Sequence, residues 1–125
     1  IVKQINFKIY HNPRCSKSRK ALEILNSKTK DLKIIKYLED GIDIIELKSI
    51  LNLNKISKDE IIRKNESLYK ELKLTKKDLS NDAIINCIVK FPILLQRPLI
   101  SKYHNNKLVK AVIGRAPETV LNLFN

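Results

Sequence analysis

The sequence predicts an α/β protein, a mixed sheet with helices on both sides, and three observations carry that prediction. A strand-like segment, a helical segment and a second short apolar run follow one another at the front of the chain. The middle third is helical in its periodicity, and two strand-like segments with a short polar stretch between them precede a last helix. At 125 residues, 43% of them hydrophobic, the chain has the length for one domain, residues 1–125, built around one core.

Ile5, Phe7 and Ile9 alternate with Asn6, Lys8 and Tyr10, the period-2 pattern of a strand that ends at His11. Asn12 and Pro13 break the pattern, and Ala21, Ile24 and Leu25 then recur at helical spacing, with Ser16, Lys17, Lys20 and Glu23 left for solvent. The run Leu32 to Leu38 is short enough for a buried strand, so strand, helix and strand form a βαβ unit with a parallel pair. A helical insertion follows, over about residues 42–91. Asp43 with Glu46 and Ser57 with Glu60 have capping-box spacing, and Ser80 suits the N-cap of a helix carrying Ala83, Ile84 and Ile88. Leu99 to Tyr103 and Leu108 to Ile113, separated by a stretch containing Asn105 and Asn106, predict an antiparallel hairpin. Pro117 fits the first turn of a last helix with Val120, Leu121 and Phe124 on one face.

Composition narrows the function. No stretch approaches the roughly 20 apolar residues of a membrane-spanning helix, and Ile1 to Tyr10 is too interrupted by polar residues for a signal-peptide block, so a cytoplasmic protein with no membrane partner is expected. The net charge of +12 would suit nucleic acid, but the lysines are scattered and few aromatics lie among them, which argues against such a partner. Two Cys and two His, not clustered, offer no ligand set for zinc, so no metal is expected.

The two cysteines differ in setting. Cys87 falls with Ile84 and Ile88 on an amphipathic helix and reads as a small packing residue. Cys15 sits where a loop meets a helix N-terminus, with His11, Arg14, Lys17 and Arg19 close in sequence. A helix N-terminus and nearby cations lower a thiol pKa from about 8.5 to between about 3.5 and 7.5, which makes the thiolate nucleophile. The alternative, a buried structural thiol, is disfavoured by so polar and cationic a loop. The residue three after Cys15 is Ser18, so no local disulfide can close, and an oxidised Cys15 must be resolved by an outside thiol.

The loop Tyr10-His11-Asn12-Pro13-Arg14-Cys15-Ser16-Lys17-Ser18-Arg19 resembles the active-site loop of the glutaredoxin-linked arsenate reductase family. Later segments resemble that family's motifs in the same order: Ile61 to Glu66 through Tyr69 to Leu72, Pro92 to Pro98, and Ile113 to Glu118. The resemblance covers essentially the whole chain. It implies a thioredoxin-like four-stranded mixed sheet with a helical insertion between the βαβ unit and the C-terminal hairpin and helix.

The same resemblance implies roles. Cys15 would be the nucleophile, and Arg63, Arg97 and Arg115 would bind the oxyanion, for which planar guanidinium groups suit a tetrahedral anion. His11 would stabilise or orient the thiolate, or merely cap the end of the strand. Ser18 and Arg19 would support the loop. Pro98 matches a cis-proline position, which would aim Arg97 at Cys15. The implied activity is reduction of arsenate to arsenite through a Cys15 thiol-arsenate adduct, with glutathione as co-substrate, glutaredoxin as partner and no bound cofactor. Two other functions fit the same fold: an Spx-like redox-sensing regulator that binds RNA polymerase, and a generic glutathione-linked thiol oxidoreductase. Ser18 and the full arginine set favour the reductase.

Overall fold

The computed structural model describes residues 4–76 and 78–125; Ile1–Lys3, part of the opening segment considered above, lie outside them. Two compact units make up the chain, one from the residues up to Asp40 together with Arg97–Asn125, the other Gly41–Gln96.

The first unit is built on β1 (Ile5–Tyr10), α1 (Ser16–Lys28), β2 (Leu32–Ile35) and the hairpin β3 (Leu99–His104) and β4 (Lys107–Ile113). The strand order is β2-β1-β3-β4, with β1 parallel to β2 and antiparallel to β3. The expected mixed four-stranded sheet is therefore present. The hairpin turns on Asn105 and Asn106, both at positive φ of 50° and 66°. Asn tolerates that left-handed region better than most residues, and two such residues in a row give the tight turn whose twist matches the strands.

The core follows from amphipathic faces meeting. Phe7, Ile9 and Ile100 of the sheet pack against Ala21 and Leu25 of α1 and against Val120 and Leu123. The Phe7 and Phe124 rings lie 4.9 Å apart between centroids.

Three details depart from the sequence pattern. Ile5, expected on the inner face of β1, is 41% exposed because it opens the strand at the end of the sheet, whereas Tyr10, expected outward, is fully buried. The run Leu32 to Leu38 is a buried strand in neither length nor burial. β2 is a four-residue edge strand with Ile34 45% exposed, and Tyr37–Asp40 forms a short helical turn, α2, anchored by the buried Tyr37. An edge strand has a neighbour on one side only, which accounts for the exposure. Last, Pro117–Phe124 is a 3-10 helix. Its period of three residues per turn places Val120 and Leu123 on one face, so Leu123 enters the core and Leu121 is left 42% exposed. Lys102 and Lys110 donate to the carbonyls of Leu123 and Asn122, satisfying its C-terminal end.

The second unit is helical: α3 (Ile44–Asn52), α4 (Lys58–Ile61), α5 (Ser67–Glu71) and α6 (Asn81–Lys90), with short 3-10 turns at Leu74–Lys76 and Pro92–Leu94. The caps are those the spacing indicates. Asp43 accepts from the Ile45 and Glu46 N–H groups, Ser57 accepts from Glu60 N while donating to its carboxylate, and Ser80 accepts from Ala83 N. α3 packs on α6, and Leu47 and Ile50 of the one and Ile84, Ile85 and Ile88 of the other are buried. The unit extends past residue 91 because Pro92–Gln96 stays tied to it: Arg63 N donates to Leu94 O and Gln96 N to Ile61 O. Among the described residues no helix is long and apolar enough to cross a membrane.

Candidate functional site

Cys15 is the N-cap of α1, half-buried and in extended conformation at φ −95° and ψ 121°. Its position is set by a turn that the sequence writes with Asn12 and Pro13. The Asn12 carbonyl accepts from Cys15 N at 3.0 Å, the Asn12 side chain accepts from Arg14 N at 3.0 Å, and Arg19 reaches back to donate to the Pro13 carbonyl at 2.9 Å. Asn at the head of a turn closes such side-chain rings readily. Periodicity marks Asn12 as a pattern breaker and the resemblance includes it in the loop; its bonds to Arg14 and Cys15 show that it organises that loop.

The helix that follows has first-turn N–H groups with no partner inside the helix, and these face Cys15. Burial by itself raises the Cys15 thiol pKa, but the Ser18 N–H, the Arg97 side chain and the Lys17 N–H, with the Arg97 charge, outweigh it, and the net shift is downward. The sulfur makes no closed capping hydrogen bond. The open end of α1 thus acts on it as a set of oriented dipoles that favour the thiolate, while Arg97 is its side-chain donor.

Arg97 precedes Pro98 across a cis peptide bond at the start of β3. Its Nε is buried and has no hydrogen-bond partner among the described residues. Arg115 follows β4 and donates from Nη1 to the Arg97 carbonyl at 3.1 Å. The two guanidinium groups therefore belong to one corner of the sheet, where Gly114 permits a close approach. A Cβ at Gly114 would stand 3.1 Å from both Pro98 and Ile100 and 3.3 Å from Val120, and Gly114 N donates to Pro98 O.

His11 is buried at the end of β1, and its Nδ1 lies 2.7 Å from Ser18 Oγ, which also accepts from Asn12 N at 3.0 Å. Burial first, then Lys36 and Arg19, lower the His11 pKa, which favours the neutral ring. A neutral Nδ1 accepts the Ser18 hydroxyl proton while the Ser18 oxygen accepts from Asn12, so one buried hydroxyl joins the strand end, the loop and α1. His11 is thus linked to Ser18 rather than held on the sulfur.

The structure brings Cys15, His11, Ser18, Arg19, Arg97, Pro98 and Arg115 together in the first unit. Arg63 belongs to the second. There its backbone is bonded to Leu94, and its Nε lies 3.5 Å from the Glu66 carboxylate. Cys87 is half-buried on α6 beside the buried Ile84 and Ile88, less enclosed than a core residue. Among the described residues no three His, Cys, Asp or Glu side chains group closely enough to hold a metal ion.

Comparison with known proteins bears on this arrangement. The model of the ArsC family matches residues 10–123, from the end of β1 through the last helix. A protein of Escherichia coli strain K12 named YfgD is 42% identical over 117 residues, 93% of this chain and 94% of that one. An arsenate reductase of Neisseria meningitidis serogroup A is 41% identical over 114 residues, covering 90% of this chain and 93% of that protein. Among solved structures, an arsenate reductase from Vibrio cholerae superposes with a TM-score of 0.80 at 38% identity, covering 95% of this chain and 98% of that one. The mixed sheet with its helices is the thioredoxin-like fold of these relatives. Since the match runs nearly end to end in sequence and in structure, and takes in the Cys15 loop, Arg97 and Arg115, the chain belongs to the ArsC family.

Proposed function

We propose that this chain reduces arsenate to arsenite, with Cys15 as the nucleophile and glutathione and glutaredoxin as the electron donors. The observation that carries the proposal is the pairing of a thiol of lowered pKa with Arg97, whose buried Nε is left for a ligand and whose carbonyl anchors Arg115. A nucleophile beside planar cations suits attack on a tetrahedral oxyanion. The arsenate reductases among the relatives support the choice of arsenic.

In the proposed sequence the Cys15 thiolate attacks arsenic(V), a protonated oxygen leaves as water, and Arg97 and Arg115 balance the oxyanion charge. Glutathione adds to the arsenic through its sulfur with loss of a second water. The glutaredoxin thiolate then attacks that glutathione sulfur, forming a mixed disulfide. The electron pair of the broken sulfur–arsenic bond stays on arsenic, which becomes arsenic(III). Hydrolysis of the Cys15–arsenic bond releases arsenite and restores the thiol. Ser18 in place of a second loop cysteine supports this use of outside thiols. The same dependence on reduced thiols places the reaction in a reducing compartment such as the cytoplasm.

The test is arsenite formation from arsenate with glutathione, glutaredoxin and NADPH-coupled recycling. Turnover is expected in the wild type and absent in Cys15→Ser. Turnover that persists in the variant would remove Cys15 from the mechanism, and none in a wild type whose thiol still reacts normally would remove arsenate.

A further inference from the structure

Beside the Cys15 loop lies a depression of about 370 Å3 that the proposed arsenic chemistry leaves unused. One wall is the loop, residues 11–14; the other is the turn after β2, through Lys36, Leu38 and Glu39. The walls are tied together, because His11 N donates to Ile35 O at 2.8 Å. The turn is itself closed by Glu39 N and Asp40 N donating to Lys36 O, and is pinned by the fully buried Tyr37. The charges around the depression are thus presented from a fixed frame.

Those charges are two cations, Arg14 and Lys36, and one carboxylate, Glu39, with Leu38 exposed between them as an apolar surface. Two cations alone would suit a simple oxyanion. A carboxylate among them works against one and calls for a positive group on the ligand. Glutathione carries two carboxylates, one ammonium group and a thiol, and the volume falls within the range of about 300 to 1,000 Å3 usual for small-ligand sites. We propose that this depression is the binding site for the peptide part of glutathione, with Arg14 and Lys36 taking its carboxylates and Glu39 its ammonium group, so that its sulfur is delivered to Cys15, the residue next to Arg14. The inference rests on the reading that glutathione serves this site, and it adds where the tripeptide is held and by which residues.

The reaction of Cys15 with disulfides tests it without arsenic. Cys15 thiolate attacks one sulfur of glutathione disulfide, forming a Cys15–glutathione mixed disulfide and releasing one glutathione thiolate. Bis(2-hydroxyethyl) disulfide undergoes the same exchange without the charges. The readout is the ratio of the two rate constants, which cancels any change in the thiol itself. The wild type should prefer glutathione disulfide, and Lys36→Glu should cut that preference by about tenfold, as for loss of one charge-assisted contact. Lys33→Glu, an exposed change on β2 with the same effect on net charge, should leave the ratio near the wild-type value. Glu39→Gln should lower the preference although it makes the site more positive. Equal ratios for Lys36→Glu and Lys33→Glu, or a preference that rises in Glu39→Gln, would overturn the site. Arsenate turnover measured alongside separates the two ideas. Turnover without the preference would defeat the depression alone, and the preference without turnover would defeat the arsenate reading alone.

Discussion

At Cys15, opposing effects of similar kind decide the chemistry. Burial works against the thiolate, and the helix N–H groups and Arg97 work for it and prevail. The rate of Cys15 alkylation by iodoacetamide should therefore have its pH midpoint below that of an ordinary thiol. Because Arg97 stabilises the charged form, Arg97→Ala should move that midpoint upward, towards the ordinary value; a midpoint that stays put would remove Arg97 from the thiol's surroundings. The same variant should lose roughly 100-fold in kcat/KM for arsenate, the scale of losing one preorganised donor. Ser18 is the second residue on which the site turns. Ser18→Ala strands the Asn12 N–H and takes a partner from His11, both buried, and should cost about 1–3 kcal/mol in urea unfolding. The residue types at the site were legible in the sequence, since a cysteine after a strand and ahead of a helix is a pattern with a mechanism. The bond from His11 to Ser18 was not, because seven residues separate them in the chain and only the turn at Asn12 closes that distance.

Elements behave as their local signals indicate wherever those signals are complete within a few residues. The caps at Asp43, Ser57 and Ser80 and the turn at Asn105 and Asn106 are of this kind, since each bond or dihedral is decided by neighbours in sequence. The last helix is different. Pro117 marks its start in either helical form, but the choice of three residues per turn rather than 3.6 exchanges Leu121 for Leu123 in the core. Leu123→Ala should accordingly cost about 2–5 kcal/mol, whereas Leu121→Ala should fall within about 0.5 kcal/mol of the wild type. Thermal or denaturant unfolding of the two variants checks this, and equal losses would mean that the helix is α in solution.

For the whole molecule the relevant quantity is how charge is gathered. A chain of net charge +12 attracts anions in general, and salt screens that attraction over about 10 Å at 0.1 M. The proposed site, with Arg97 at the Cys15 thiol and Arg115 on the Arg97 carbonyl, is more specific than that background. Arsenate should therefore raise the unfolding temperature by mass action on the native state. The rise should shrink in Arg97→Ala and in Arg115→Ala, while an exposed substitution such as Lys33→Ala should leave it intact. A uniform loss in all three would assign the effect to net charge.

The order of elements, the helical caps, the hairpin turn and the candidate nucleophile were determined by the sequence alone. Each depends on short-range periodicity, on a residue's own dihedral preference or on side-chain chemistry that neighbours along the chain can supply. Tertiary structure decided the rest: that β2 is an edge strand and half exposed, that Leu123 and not Leu121 is buried, and that Arg97 and Arg115, eighteen residues apart, meet at one carbonyl beside Pro98 and Gly114. Burial and convergence of this sort depend on which elements pack against one another, and no window along the chain carries that information.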